Sequence, residues 1–201
     1  KEELQDIADV LRENKTVSLI SDEIYELILK EGLKHISIAS LAKDLSKRIF
    51  TINGFAKGWA MTGWRVGYLV GNKEVIEASS SLQSQSTSNV CSFVQRGALA
   101  ALKINRNFFI EMNKKYDERR TILYEGLNKL NGIKIHPPRG AFYGFPELPN
   151  NDISSIDFCN QALNDFGLVL VPGSAFGNNQ CIRISSAASN DKIIDGLGRL
   201  K

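Results

Sequence analysis

The first hundred residues alternate between helical and strand-like hydrophobic patterns. Apolar residues spaced i, i+3, i+4 and i+7 predict an amphipathic helix at the start of the chain; they are Leu4, Ile7, Ala8 and Leu11. Short apolar runs rich in β-forming residues predict three strands, at residues 16–21, 49–52 and 66–71. The first run is typical of a buried parallel strand. This alternation indicates an α/β fold class.

Helical patterns dominate the middle of the chain. They predict helices at residues 40–47, 73–82, 91–104 and 108–130, with the polar run 83–89 as a linker. The longest helix has one apolar stripe, which comprises Phe109, Met112, Tyr116, Leu123 and Leu127. Its charged residues favour a solvated face; they are Lys114, Lys115, Asp117, Glu118, Arg119 and Arg120.

Shorter elements follow residue 131. The patterns predict strands at residues 133–135, 141–145, 168–171 and 181–185, helices at 155–165 and 190–200, and a loop at 172–177. An α+β arrangement fits this mixture. We therefore expect two domains, residues 1–104 and 105–201.

Composition excludes several classes of function. The net charge is +3, and its charges are too scattered to indicate nucleic-acid binding. The sequence has only two histidines, and they lack the spacing of metal ligands, so we do not expect a metal site. Three separated cysteines in apolar surroundings predict buried, reduced thiols and a cytoplasmic location. No apolar run approaches the ~20 residues of a membrane span.

Two segments carry candidate chemistry. Lys57 lies between Ala56 and Gly58, so a bulky partner could approach its amine closely. Asp22 and Tyr25 follow the first predicted strand, and open α/β sheets bind ligands at the carboxyl ends of strands. From each of these residues alone, the favoured interpretations are structural: a solvated loop lysine, a helix-capping aspartate and a half-buried tyrosine.

The sequence TINGFAKGWAMTGWRVGY at residues 51–68 resembles the cofactor-lysine segment of class I aminotransferases. Four more segments occur in that family's order: SDEIYE at 21–26, GAFY at 140–143, VPGSAFG at 171–177 and CIRIS at 181–185. The resemblance covers essentially all 201 residues and corresponds to the carboxyl-terminal half of the family's chain. It implies part of the fold of the pyridoxal-phosphate transferases.

The resemblance also implies roles for five residues. Lys57 is expected to hold pyridoxal 5′-phosphate as a Schiff base, the internal aldimine, and to move the substrate proton. Asp22 is expected to pair with the pyridine nitrogen, and Tyr25 to donate to the ring oxygen. Arg65 is expected to bind the phosphate and Arg183 the substrate carboxylate. The segments with Gly140, Phe142 and residues 172–177 are expected to serve packing more than contact.

The implied function is transamination between an L-amino acid, aspartate or glutamate, and a 2-oxo acid. The resemblance also implies a homodimer, and residues 83–89 are expected to lie near the boundary between its subunits. Many relatives have serine where this chain has Ala56 or Gly54. The family's amino-terminal half, with further site residues, is not in the sequence, so we expect an incomplete, inactive fragment. The alternatives are an aminotransferase for aromatic or other amino acids, a lyase or decarboxylase of the same fold, and a noncatalytic scaffold.

Overall fold

The computed structural model describes residues 1–149 and 153–200, which form two compact units. The first unit comprises Lys1–Leu27 and Lys34–Phe109, and the second comprises Ile28–Leu33 and Ile110–Lys201. The division of the chain into family domains at residues 104 and 105 stays a prediction. The boundary between the compact units lies five residues later, between Phe109 and Ile110. The second unit also includes a short segment from the first third of the chain, Ile28–Leu33.

The first unit contains most of the predicted helices and strands. Its elements are α1 (Glu2–Glu13), β1 (Leu19–Asp22), α2 (Ile38–Leu41), β2 (Ile49–Gly54), β3 (Gly67–Val70), α3 (Lys73–Ser86) and α4 (Ser92–Ala101), with single 3₁₀ turns at Lys43–Leu45 and Thr62–Trp64. The predicted linker at 83–89 is wrong in its first half, because α3 continues to Ser86. Serine and glutamine are tolerated in helices, and Asn72 caps α3 by accepting from the Val75 amide at 3.0 Å.

The three strands form one sheet in the order β1-β2-β3. β1 runs parallel to β2 and β3 antiparallel to it. The parallel direction predicted for β1 is confirmed, but its predicted burial is wrong. β1 lies at the edge of the sheet, and Ile20 is 67% exposed.

A small apolar core holds α1 against α2 and the start of β2. It comprises Ala8, Leu11, Ile38, Ala42, Leu45 and Ile49, all buried. Apolar burial of this kind contributes about 25 cal/mol per Å² removed from water. The helix predicted from the spacing of apolar residues is therefore confirmed, and it buries part of the face that the spacing defined.

The second unit consists of helices around a small antiparallel sheet. Its elements are α5 (Arg106–Asn128), β4 (Tyr143–Gly144), α6 (Ser155–Phe166), β5 (Val171–Pro172), β6 (Ile182–Ser185) and α7 (Asn190–Arg199), with strand order β4-β6-β5. Its larger buried cluster comprises Leu123, Leu127, Leu130, Ile193 and Leu197, and a smaller one comprises Leu148, Cys159 and Ile182. The strand predicted at 133–135 is only a bridge between Lys134 and Glu147, and the loop predicted at 172–177 contains a 3₁₀ turn, Gly173–Phe176.

Two predictions about individual side chains are wrong. Arg120, assigned to a solvated face, is 3% exposed because it hydrogen-bonds backbone carbonyls inside the second unit. Cys91, predicted to be buried, is exposed at the N-cap position of α4, where its side chain makes no capping hydrogen bond. Cys159 and Cys181 are buried as predicted, and burial raises the pKa of both thiols. Among the described residues, no helix has the length and apolarity that crossing a bilayer requires.

Candidate active site

The parallel pairing of β1 and β2 brings two predicted site segments to one edge of the sheet. Asp22 is the last residue of β1 and lies opposite Ile52 of β2. The Glu23 amide extends the pairing by donating to the Ile52 carbonyl at 2.8 Å. β2 ends at Gly54, and Lys57 follows three residues later. The carboxyl ends of the two strands therefore lead directly into the Asp22 and Lys57 segments.

Tyr25 and Lys57 lie close together at this edge. The Lys57 ammonium nitrogen is 5.8 Å from the centre of the Tyr25 ring, and both residues are half-buried. Gly58 packs on Leu27, since a Cβ added to Gly58 would lie 2.8 Å from the Leu27 Cδ1 atom. The absence of a side chain at Gly58 thus lets the lysine loop lie against the turn that carries Tyr25.

Glycine and aromatic residues fix the base of the lysine loop. Gly54 and Gly67 pair across β2 and β3, and a Cβ on Gly54 would lie 2.7 Å from the Gly67 Cα atom. Phe55 is buried and packs against Trp59 in a tilted arrangement, with 4.8 Å between ring centres. The Trp59 indole donates to the Ala101 carbonyl at 3.0 Å. The loop is therefore anchored on both sides of Lys57.

Arg65 closes this loop in a left-handed conformation, with φ 51°. Ala60 has φ 54° in the same loop. Such backbone angles are unfavourable for residues with a side chain and concentrate at functional sites. One guanidinium nitrogen of Arg65 donates to the Thr62 carbonyl at 2.8 Å. The remaining donors of its planar fork suit an anion such as a phosphate.

Asp22 ends strand β1 and is followed by a turn, not by a helix. Its Oδ1 atom accepts from the Ile24 amide at 3.2 Å, and the residue is exposed. The helix-cap interpretation left open by the sequence is therefore wrong, because residues 24–27 form a turn. An exposed carboxylate at the end of a strand is available to pair with a ligand.

Sequence reasoning missed a buried carboxylate beside Asp22. Glu23 is 7% exposed and is hydrogen-bonded to Ser21, Ser37 and His35. The signal available in the sequence was the acidic pair at residues 22 and 23, since strand geometry directs neighbouring side chains to opposite faces. The serine and histidine partners, by contrast, have no pattern that distinguishes them from surface residues.

Arg183 belongs to the second unit, and its relation to Lys57 stays a prediction. Its guanidinium carbon lies 4.4 Å from the centre of the Tyr143 ring and 4.5 Å from that of Phe176. Two aromatic faces thus hold the cation in one orientation. The edge of a guanidinium held in this way is suited to bidentate binding of a carboxylate.

Of the segments expected to serve packing, the one containing Phe142 makes clear packing contacts. The Phe142 ring stacks on Tyr116 with 5.5 Å between centres, and its carbonyl accepts from the Ser186 amide at 2.7 Å. Gly140 forms a bridge with Leu29. Phe176 packs on Arg183, which gives the loop at 172–177 a contact with a predicted site residue.

The family model for aminotransferase class I and II matches residues 1–197. An aspartate aminotransferase of Pinus pinaster is 39% identical over 214 aligned residues, covering 100% of this chain and 43% of that protein. An aspartate aminotransferase of Bacillus sp. (strain YM-2) is 37% identical, covering 100% of this chain and 52% of the relative. The crystal structure of an aromatic aminotransferase from Pyrococcus horikoshii OT3 matches with a TM-score of 0.93 and 36% identity, covering 100% of this chain and 54% of that one.

The fold is that of the pyridoxal-phosphate-dependent transferases, because solved aminotransferase structures match it over the whole chain. The chain belongs to the class I and II aminotransferases. It spans about half the length of the curated relatives it matches. The fold class and family predicted from the sequence are confirmed.

The side chains of the first unit fit the cofactor of this family. Pyridoxal 5′-phosphate has an aldehyde, a basic ring nitrogen, a ring oxygen and a phosphate, and these call for an amine, a carboxylate, a hydroxyl donor and a cation. Lys57, Asp22, Tyr25 and Arg65 supply that set from neighbouring segments of one unit. The role of each residue stays a prediction.

Proposed function

We propose that the protein is an aminotransferase that uses pyridoxal 5′-phosphate to exchange an amino group between aspartate or glutamate and a 2-oxo acid. The proposal rests mainly on one observation. The Lys57 amine lies near Tyr25, at the sheet edge where the paired strand β1 ends in Asp22. A scaffold would have no use for these three groups together at one edge.

The chain's own residues can perform the proton chemistry of transamination. When bound, the cofactor supplies an electron-accepting ring that stabilises negative charge on a substrate carbon after loss of a proton. Asp22 favours a protonated ring nitrogen because its carboxylate stabilises the positive charge. Tyr25 donates a hydrogen bond to the ring oxygen. The Lys57 amine would take the proton from the substrate α-carbon as a general base and deliver it, as a general acid, to the aldehyde-derived carbon of the cofactor, which keeps the amino group.

Two arginines are assigned to binding. Arg65 binds the phosphate with its remaining donors, and its left-handed backbone holds it at the end of the lysine loop. Arg183, clamped between Tyr143 and Phe176, binds the α-carboxylate of the substrate. Orienting the substrate in this way lowers the activation barrier by several kcal/mol in favourable cases, as an order of magnitude.

A second candidate function is transamination of aromatic amino acids. The observation that favours it is the match to the aromatic aminotransferase from Pyrococcus horikoshii OT3, with a TM-score of 0.93. The two candidates use the same residues around Lys57 and differ in side-chain preference. Comparing aspartate, glutamate, phenylalanine and tyrosine as amino donors distinguishes them.

We further propose a homodimer and a cytoplasmic location. Sites in this family lie at a subunit boundary, and we assign residues 83–89 to its neighbourhood. The two buried thiols fit a reducing compartment. Sedimentation of the protein expressed from its complete reading frame tests the dimer, and imaging of the tagged protein in its cells tests the location.

The central experiment is a covalent trap on the protein expressed from its complete reading frame. We expect a visible absorption band with pyridoxal 5′-phosphate, and a label confined to Lys57 after borohydride reduction and peptide mapping. Lys57→Ala removes the label, and the control Lys73→Ala, an exposed lysine at the start of α3, retains it. Keto-acid formation from aspartate or glutamate then confirms the reaction and excludes a lyase. A label spread over surface lysines, in a folded protein, rejects the proposal.

A further inference from the structure

A hydrogen-bonded network lies directly beneath the Asp22 segment. The Oε1 atom of Glu23 accepts from the Ser37 hydroxyl at 2.8 Å and from the Ser21 hydroxyl at 3.1 Å. Its Oε2 atom is 2.8 Å from the His35 Nε2 atom. Because a carboxylate oxygen only accepts, His35 is the donor in this contact. Both oxygens of the buried carboxylate are thus satisfied.

Two carboxylates and one imidazole meet here, a combination that could bind a metal ion. Their contacts instead define a network of hydrogen bonds. Ligand atoms of Glu23, Glu26 and His35 lie within 4.8 Å of one another. Glu23 already uses both oxygens for side-chain donors, and a metal ion would have to displace them. Burying a carboxylate is costly unless hydrogen bonds compensate. The network is therefore the arrangement that makes Glu23 tolerable at this position.

The backbone of Glu23 joins the sheet to the turn that carries Tyr25. Its amide donates to the Ile52 carbonyl at 2.8 Å, and its carbonyl accepts from the Glu26 amide at 2.9 Å. Asp22 precedes it on the exposed side, and Tyr25 follows two residues later. A displacement of Glu23 would therefore move both residues relative to β2 and the lysine loop.

Two of the three side-chain partners of Glu23, His35 and Ser37, come from a separate segment of the chain. His35 and Ser37 precede α2, which packs in the apolar core beneath α1. His35 has a side chain that is 30% exposed, whereas that of Glu23 is 6% exposed. The Glu23 carboxylate thus connects the segment that leads into α2 to the Asp22–Tyr25 segment.

We propose that Glu23, held by His35, Ser37 and Ser21, is a positioning residue that fixes Asp22 and Tyr25 against the lysine loop. The inference rests on the proposed function, because positioning matters through what Asp22 and Tyr25 do to the cofactor. Because Ser21, Ser37 and His35 engage both oxygens of the Glu23 carboxylate, we assign Glu23 no contact of its own with the cofactor. Its effect is to hold the Asp22 carboxylate where it meets the ring nitrogen and the Tyr25 hydroxyl where it meets the ring oxygen.

The test uses the protein expressed from its complete reading frame, with pyridoxal 5′-phosphate added. The variants are Glu23→Gln, His35→Ala and Ser37→Ala, with His35→Gln as the conservative variant that keeps a donor. Glu26→Gln is the matched control, because it neutralises a neighbouring carboxylate that makes none of the described hydrogen bonds to the Glu23 carboxylate. The readouts are the labelled lysine after borohydride, cofactor affinity, the pH midpoint of the visible absorption band, and the melting temperature.

We expect all variants to label Lys57. Glu23→Gln and His35→Ala should weaken cofactor binding about tenfold, the scale of one hydrogen bond to a charged group, and shift the absorption midpoint. His35→Gln should restore most of the difference, and Glu26→Gln should stay within about twofold. Ser37→Ala removes one donor and keeps the test open if Glu23→Gln does not fold.

The possible failures are separable. Glu23→Gln, His35→Ala and Ser37→Ala could lower the melting temperature and leave the cofactor affinity and the absorption midpoint unchanged. The network would then be purely structural, and this result would overturn the inference but not the proposed function. An equal shift in Glu26→Gln attributes the effect to charge and also overturns it. A native protein that does not label Lys57 rejects the proposed function, and the inference with it.

Discussion

The guanidinium of Arg120 donates a 2.6 Å hydrogen bond to the carbonyl oxygen of Ala141, a residue with the left-handed φ of 53°. A second nitrogen of the same group donates to the Leu29 carbonyl at 3.1 Å and to the Asp117 carboxylate at 2.7 Å. One buried cation thus ties α5 to two irregular segments of the second unit. Such segments carry carbonyl groups that no ladder satisfies, and Arg120 supplies the missing donors.

Arg120→Ala should therefore lower the free energy of unfolding substantially. The substitution leaves acceptors without their donor and opens a cavity in place of a buried side chain, and the expected loss is about 2–5 kcal/mol. Urea unfolding monitored by circular dichroism measures it. Lys115→Ala, an exposed position on the same helix, is the control and should change little. Equal stability of the two variants would contradict the role assigned to Arg120.

Gly54→Ala should destabilise the first unit. The new Cβ would lie 2.7 Å from the Gly67 Cα atom and 2.9 Å from the Val66 carbonyl oxygen, both of them backbone atoms. Overpacking of this kind costs about 1–3 kcal/mol. Gly63→Ala is the matched control, because a Cβ there meets no described atom within 4 Å. Thermal unfolding should show a lower midpoint for the first variant only.

The cysteines should differ in reactivity. Cys91 is exposed, whereas Cys159 and Cys181 are buried, and burial raises the pKa of both buried thiols. A raised pKa reduces the thiolate that reacts with disulfide reagents. We expect one fast-reacting thiol in the native chain, its loss in Cys91→Ser, and three reactive thiols in denaturant. Two fast thiols in the native chain would be incompatible with the described burial.

Phe176→Leu should weaken substrate binding if Arg183 holds the substrate carboxylate. Leucine keeps an apolar side chain but removes the aromatic face that stacks on the guanidinium, a contribution of about 0.5–1 kcal/mol at exposed sites. The KM for the amino acid should rise about two- to fivefold, with the label at Lys57 unchanged. Phe166→Leu is the control, since Phe166 is 47% exposed and Phe176 is 49% exposed. A similar rise in both variants would argue against the clamp.

Tyr68 should make stability depend on alkaline pH. Burial, followed by the negative charges of Glu26 and Glu23, raises the pKa of its hydroxyl. The folded chain then keeps this proton at a pH where the unfolded chain loses it, so stability falls as the pH rises above about 10. Because Cys159 and Cys181 act in the same direction, the measurement is the difference between the native protein and Tyr68→Phe. Urea unfolding from pH 9 to 11 should show a shallower decline in the variant, and parallel curves would contradict the assignment.

The local order of the chain determined much of what was found. The spacing of apolar residues predicted α1, and short β-forming runs predicted β2 and β3, because hydrophobic period and β-propensity are properties of neighbouring residues. The motif around Lys57 and its order with four other segments were sufficient for the family. These properties lie along the chain, so neighbouring residues reveal them.

Burial and partnership were decided only by the tertiary structure. The sequence pattern predicted a surface charge at Arg120. In the structure, Arg120 donates to the carbonyls of Leu29 and Ala141, which lie 91 and 21 residues away along the chain. In the sequence, Glu23 has no feature beyond its position next to Asp22. In the structure, its Oε2 atom lies 2.8 Å from the His35 Nε2 atom. A polar side chain is buried when distant backbone or side-chain groups satisfy it, and no periodicity in the sequence records where those groups will be.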